Sequence, residues 1–105
     1  MFNFLSMADN YEERKVAHDD FDWGMIDTCY VNDGDKDYET AVEHKKYNAG
    51  KMVIVEAYDT KDEAIAGHKK WVQIMTAKVL PKKLKDCANS YISQFIGEEE
   101  FEFED

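Results

Sequence analysis

Proline occurs once in this chain, at Pro81, and cysteine twice, at Cys29 and Cys87. No Pro-, Gly- or Ser-rich stretch divides the 105 residues, so one domain with a real core is expected. The cysteines lie far apart and form no C-x-x-C pair, which favours reduced, buried thiols over a disulfide. No apolar run approaches the roughly twenty residues that a membrane helix needs. The opening Met1-Phe-Asn-Phe-Leu-Ser6 has neither the basic start nor the apolar length of a secretion signal. A cytoplasmic protein without membrane contact is therefore expected. Basic residues are also scarce, with 13 Lys and Arg against 23 Asp and Glu. The resulting net charge of −10 argues against direct nucleic-acid binding, which relies on neutralising phosphates.

What is present points to a folded α+β chain. A hydrophobic content of 44% is high enough to exclude global disorder. Charge is unevenly placed: residues 1–60 carry −8, residues 61–96 carry +4 and residues 97–105 carry −6. The predicted helical part is thus the only basic portion, set between an acidic sheet and an acidic tail.

Strands are predicted at 14–18, at Met25–Val31, at Tyr38–His44 and at Met52–Tyr58. In the third, Tyr38, Thr40 and Val42 alternate with Glu39, Ala41 and Glu43, which suggests one wetter face. Asn32-Asp-Gly-Asp35 and Asn48-Ala-Gly50 read as turns, and the short spacings favour an antiparallel meander. Thr60-Lys-Asp-Glu63 spells a helix capping box. Beyond it Ala64, Ile65, His68, Trp71, Val72, Met75 and Val79 share one helical face. A second helix is predicted from Pro81, with Leu84, Cys87, Ala88, Tyr91, Ile92, Phe95 and Ile96 as its apolar stripe and Gly97 as its stop. The expected fold is a meander of three to four strands with two C-terminal helices on one face. It spans residues 1–97, and residues 98–105 form an acidic, Phe-containing tail.

The chemistry-bearing residues are few. His68 sits mid-stripe, and a core histidine bonded to a strand carboxylate or carbonyl outweighs a ligand or acid–base role. Asp33, Asp35 and Asp37 have the spacing of a calcium loop, but Tyr38 and His44 stand where Gly and Glu are required. A solvated turn is the better reading. His18, Asp19, Asp20 and Asp22 could meet His44 at a metal, although nothing in the spacing enforces it, and no metal or cofactor is expected. A nucleophilic Cys29–His pair has no local support, and no hydrolase, phosphate-loop or zinc-protease motif is present. The chain is not expected to be an enzyme. The tail alternates Phe101 and Phe103 with acid, suited to adding a strand to a partner, to docking on this chain's own Lys69, Lys70, Lys78, Lys82, Lys83 and Lys85, or to a frayed, solubilising terminus.

At Tyr38-Glu-Thr-Ala-Val-Glu-His44, Tyr47-Asn48, Val53-Ile-Val-Glu-Ala-Tyr-Asp-Thr60, Gly67-His68 and Trp71, the chain resembles a group of small uncharacterised phage and prophage proteins. The likeness covers roughly residues 11–90, with Lys45-Lys46 replacing a proline-containing turn. It implies a phage origin and groups His44, His68 and Trp71 as one constellation of ligand or core residues. Together these readings suggest a non-enzymatic accessory protein in the infected cell, acting by protein–protein contact and modulating a host factor. A structural role in the virion is the alternative, and a small-ligand or metal-binding protein the third. Homo-oligomerisation stays open.

Overall fold

The computed structural model describes residues 11–31, 36–87 and 99–105. A single helical turn, α1 (Tyr11–Arg14), leads into β1 (Lys15–Phe21), β2 (Gly24–Tyr30), β3 (Tyr38–His44) and β4 (Val53–Tyr58). Each strand runs antiparallel to the next, giving a meander in the order β1-β2-β3-β4. The tight β1–β2 connection depends on Gly24. Its φ of +149° is a conformation that L side chains rarely adopt, and a Cβ there would lie 1.8 Å from the Glu43 carbonyl oxygen. The chain returns between β3 and β4 through a short 3₁₀ turn, Asn48–Gly50, where Asn48 and Ala49 both take positive φ.

The capping box forms as the residue pattern requires. Thr60 Oγ1 accepts the Glu63 N–H at 3.2 Å, and Glu63 Oε1 accepts the Thr60 N–H at 3.1 Å. Helix α2 (Lys61–Met75) then crosses all four strands on one face of the sheet. It stops a turn earlier than expected. The Thr76 side chain and N–H both bond the Val72 carbonyl, ending the helix at Met75 and leaving Val79 83% exposed. The buried stripe is also rotated slightly: Ala64, Gly67, His68 and Met75 are buried, while Ile65 faces outward.

Residues 83–86 do not begin a second helix. They form β5 (Lys83–Asp86), which pairs antiparallel with β6 (Glu99–Glu102) as a separate two-stranded ribbon. The reason is visible in the register. Leu84 faces Phe101, while Lys83 and Lys85 stand opposite Glu102 and Glu100. A Lys-Leu-Lys-Asp sequence alternates with the period of a strand, and the tail supplies its complement. The remainder of the expected helix, residues 88–97, and the turn at 32–35 lie outside the described residues. The ribbon is tied to the body by the Cys87 N–H to Ile54 O at 2.8 Å and the Glu104 N–H to Lys46 O at 2.7 Å.

The main core lies between the sheet and α2, with Ile26, Val42, Tyr47, Val53, Val55, Met75 and Leu84 at its centre. A smaller cluster of Cys29, Val31 and Ala41 occupies the reverse face, flanked by Met52 and Ile54. The wetter face expected of β3 is therefore not wet: Glu39 is only 1% exposed and Ala41 is fully buried. Among the described residues no helix is long and apolar enough to cross a membrane.

Candidate functional site

Beneath α2, every strand of the meander contributes a polar side chain to one continuous hydrogen-bonded chain. Antiparallel register sets this up. Thr28 pairs with Thr40, and Thr40 with Glu56, so all three point to the helix face. From β1, Asp19 Oδ2 meets His68 Nε2 at 2.8 Å, and His68 Nδ1 meets Thr28 Oγ1 at 2.8 Å. Thr28 Oγ1 lies 2.6 Å from Thr40 Oγ1, which lies 2.9 Å from Tyr58 Oη. The tyrosine reaches Glu56 Oε1 at 3.2 Å, and that oxygen also accepts Trp71 Nε1–H at 2.8 Å and Lys70 Nζ at 2.6 Å. Gly67 makes room for this path, because a Cβ there would lie 2.2 Å from the Tyr58 hydroxyl oxygen.

The environment sets the charge at the Glu56 end. Burial alone would raise the Glu56 pKa, but the bonds from Lys70, Trp71 and Tyr58 outweigh it and hold the carboxyl below its usual range. Burial pushes the Tyr58 phenol well above its ordinary value, and the neighbouring Glu56 carboxylate adds to the shift, so the hydroxyl keeps its proton.

Asp19, His68 and Thr28 stand in the order of an acyl-transfer triad, yet the geometry does not serve that chemistry. Thr28 is 0% exposed and its hydroxyl is shared with Thr40, so no substrate atom reaches it. Cys29 faces away from this chain. Its thiol is pushed up to about 12 by burial and then by Asp27, the reverse of an activated nucleophile.

The histidines do not converge. His68 and Trp71 share the chain through Tyr58 and Glu56, but His44 lies apart at the end of β3. It stacks on Trp23 at 4.6 Å, within an aromatic column that runs from Phe21 through Trp23, His44 and Tyr47 to Phe103. His18 is on the reverse face, its ring nitrogens bonded to Asp27 at 3.0 Å and Asp20 at 2.9 Å. Among the described residues no three His, Cys, Asp or Glu side chains gather as metal ligands would.

The two outlying histidines predict opposite pH dependences. For His18, burial lowers the pKa, but Asp20 and Asp27 more than compensate and the net shift is upward from 6.5. Its stabilisation is full below pH 6.5 and is lost as pH rises through the folded value. For His44, burial, then Lys45 and Lys46, lower the pKa. Its stabilisation is full above pH 6.5 and is lost as pH falls through the folded value. Urea unfolding of His18→Gln across this range is expected to lose the alkaline decline and keep the acid one.

The lysines and the tail meet elsewhere on the molecule. Lys83 Nζ bonds Glu100 at 3.0 Å, and Lys85 approaches the same carboxylate at 3.7 Å. Phe101 packs against the main core, and Phe103 sets its ring edge-on to Tyr47 at 5.6 Å. Lys78 and Lys82 line a cleft of about 450 Å³ with Leu80, Pro81, Glu102, Phe103 and Asp105. Lys69 is exposed on α2, and Lys70 is committed to Glu56 while lying 5.7 Å from the Trp71 ring centroid.

No family model, curated protein or solved structure matches this chain. Any functional reading must therefore come from the arrangement of its own residues. The sequence singled out His68 by its place on the stripe, Trp71 through the resemblance, Asp19 as a possible metal ligand and Lys70 as a docking lysine, but missed Thr28, Thr40, Glu56 and Tyr58. The available signal was a threonine in each of two strands, placed on the same face as Ile26 and Val42.

Proposed function

We propose that this chain is a small phage-encoded accessory protein that binds another protein through the cleft beside its acidic ribbon and catalyses no reaction. The observation that carries this reading is the meeting of Lys78 and Lys82 with Phe103 around one cleft. Its lining combines the apolar Leu80, Pro81 and Phe103 with charge of both signs from Lys78, Lys82, Glu102 and Asp105. That composition suits an apolar side chain anchored between polar neighbours. The interior offers less, because the hydroxyl, imidazole and carboxylate groups beneath α2 are spent on one another. The phage origin rests on the sequence strings from Tyr38 to Trp71, and a host factor is the partner class that such an origin favours.

Capture from host lysate with the full chain and with Lys78→Glu/Lys82→Glu tests the proposal. Reversing these charges is expected to weaken capture of a specific protein roughly tenfold and to alter its salt dependence. Equal capture by both proteins, or background alone at low and moderate salt, would remove the reading.

A further inference from the structure

The loop between α2 and β5 places an apolar knob directly beside an apolar-walled hole. Val79 is 83% exposed, the most exposed large hydrophobic side chain among the described residues. Its chain neighbours Lys78 and Leu80 line the cleft of about 450 Å³, whereas Val79 does not. A lone exposed valine needs no explanation on a protein surface; the cleft at its side is what gives it a use. Knob and hole are both held in place. The Tyr47 hydroxyl, on a fully buried residue, donates to the Pro81 carbonyl at 2.5 Å, and the Phe103 N–H donates to the Lys82 carbonyl at 2.8 Å. Pro81 adds a fixed φ. Little freedom is left to lose on binding.

The charges around the cleft are uncommitted. Among the described residues, Lys83 and Lys85 are both taken up by Glu100, whereas Lys78, Lys82, Glu102 and Asp105 are in no ion pair. Two positive and two negative groups leave this patch near neutral on a chain of net charge −10. Copies of so acidic a chain repel one another over much of their surface, and at a neutral patch that repulsion is small. A uniformly basic partner would be drawn instead to the more acidic surfaces, and a uniformly acidic one would meet Glu102 and Asp105.

We infer that the occupant of the cleft in the isolated protein is a second copy of this chain, each copy inserting its Val79 into the cleft of the other. A two-fold axis beside Val79 makes the contact reciprocal, so that each copy supplies one knob and one hole. The same half-turn sets Lys78 and Lys82 of one copy against Glu102 and Asp105 of the other, giving all four charges opposite partners. An interface built on one loop and one strand end is small, so the dimer is reversible, with a Kd on the order of 10 µM. A second copy in the cleft presupposes the protein-binding role proposed for it, and a host protein that takes the cleft displaces that copy.

Sedimentation of the purified full chain tests this without any lysate. At about 100 µM the chain is expected to be mainly dimeric, and at about 1 µM mainly monomeric. Val79→Ser is expected to weaken dimerisation roughly tenfold or more, because two valines leave the interface. Lys78→Glu/Lys82→Glu and Glu102→Lys/Asp105→Lys are each expected to stay monomeric, since each brings like charges together across the axis. Mixed in equal amounts they are expected to form a heterodimer, because every facing pair is again of opposite sign, and misfolded chains would not do so. A full chain that stays monomeric at about 100 µM leaves the cleft to a different protein and overturns the inference. So does a dimer that survives all three variants, or a pair of charge variants that does not associate when mixed. Failure here is distinct from failure of capture from lysate, which does not report self-association.

Discussion

Gly67→Ala is expected to destabilise the protein by about 2–3 kcal/mol, although alanine is the better helix former. In an exposed helix interior the same change stabilises by about 1 kcal/mol, because glycine has more backbone freedom to lose on folding. Here the added methyl would sit 2.2 Å from the Tyr58 hydroxyl oxygen and 2.3 Å from two of its ring carbons. That ring is buried and bonded through its hydroxyl to Thr40 and Glu56, so it cannot swing away without breaking the chain. Either α2 lifts from the sheet or Tyr58 gives up its partners, and both cost more than the propensity returns. Equilibrium urea unfolding gives the sign directly. Unchanged or increased stability would mean that α2 is not seated on Tyr58.

His68→Ala is expected to cost about 3 kcal/mol, because it opens a cavity at the centre of the helix–sheet interface and removes the buried hydrogen bond to Thr28 together with the half-exposed one to Asp19. Thr28 still has Thr40, but it loses its second partner. Asp19→Asn is expected to cost less than about 1 kcal/mol, since Asp19 is half-exposed and solvent screens its pairing with His68. The contrast distinguishes a packed anchor from a half-exposed hydrogen-bond partner. Combining the two changes completes a double-mutant cycle, and a coupling near zero would show that the 2.8 Å contact between them does little for stability.

The meander was legible because its signals are local. Tyr38–His44 alternates in residue type, Asn48-Ala-Gly50 marks a reversal, and Thr60 with Glu63 announces the start of α2 within four residues. What failed depended on partners distant in sequence. Leu84 fits a helical stripe with Cys87 as well as the Lys-Leu-Lys alternation of a strand, and the tie is broken by Phe101 and Glu100 from the tail. The burial of Glu39 escaped because alternation of residue type does not report how deeply a strand lies. At the site, His68 was recognisable as a histidine on a buried stripe with a strand carboxylate for company. Its continuation through Thr28, Thr40 and Tyr58 required the register of three strands, which no short window contains.

A division of labour follows from this arrangement. The polar interior fastens α2 to the sheet, while the lysine-lined cleft and acidic ribbon face outward. Parallel capture from lysate of the proposed host by the full chain, by Tyr58→Phe and by Lys78→Glu/Lys82→Glu, each verified as folded, separates the two roles. A surface-borne function predicts that Tyr58→Phe retains the partner and the lysine variant loses it. Retention by the lysine variant with loss by Tyr58→Phe would contradict the assignment and move the activity beneath the helix.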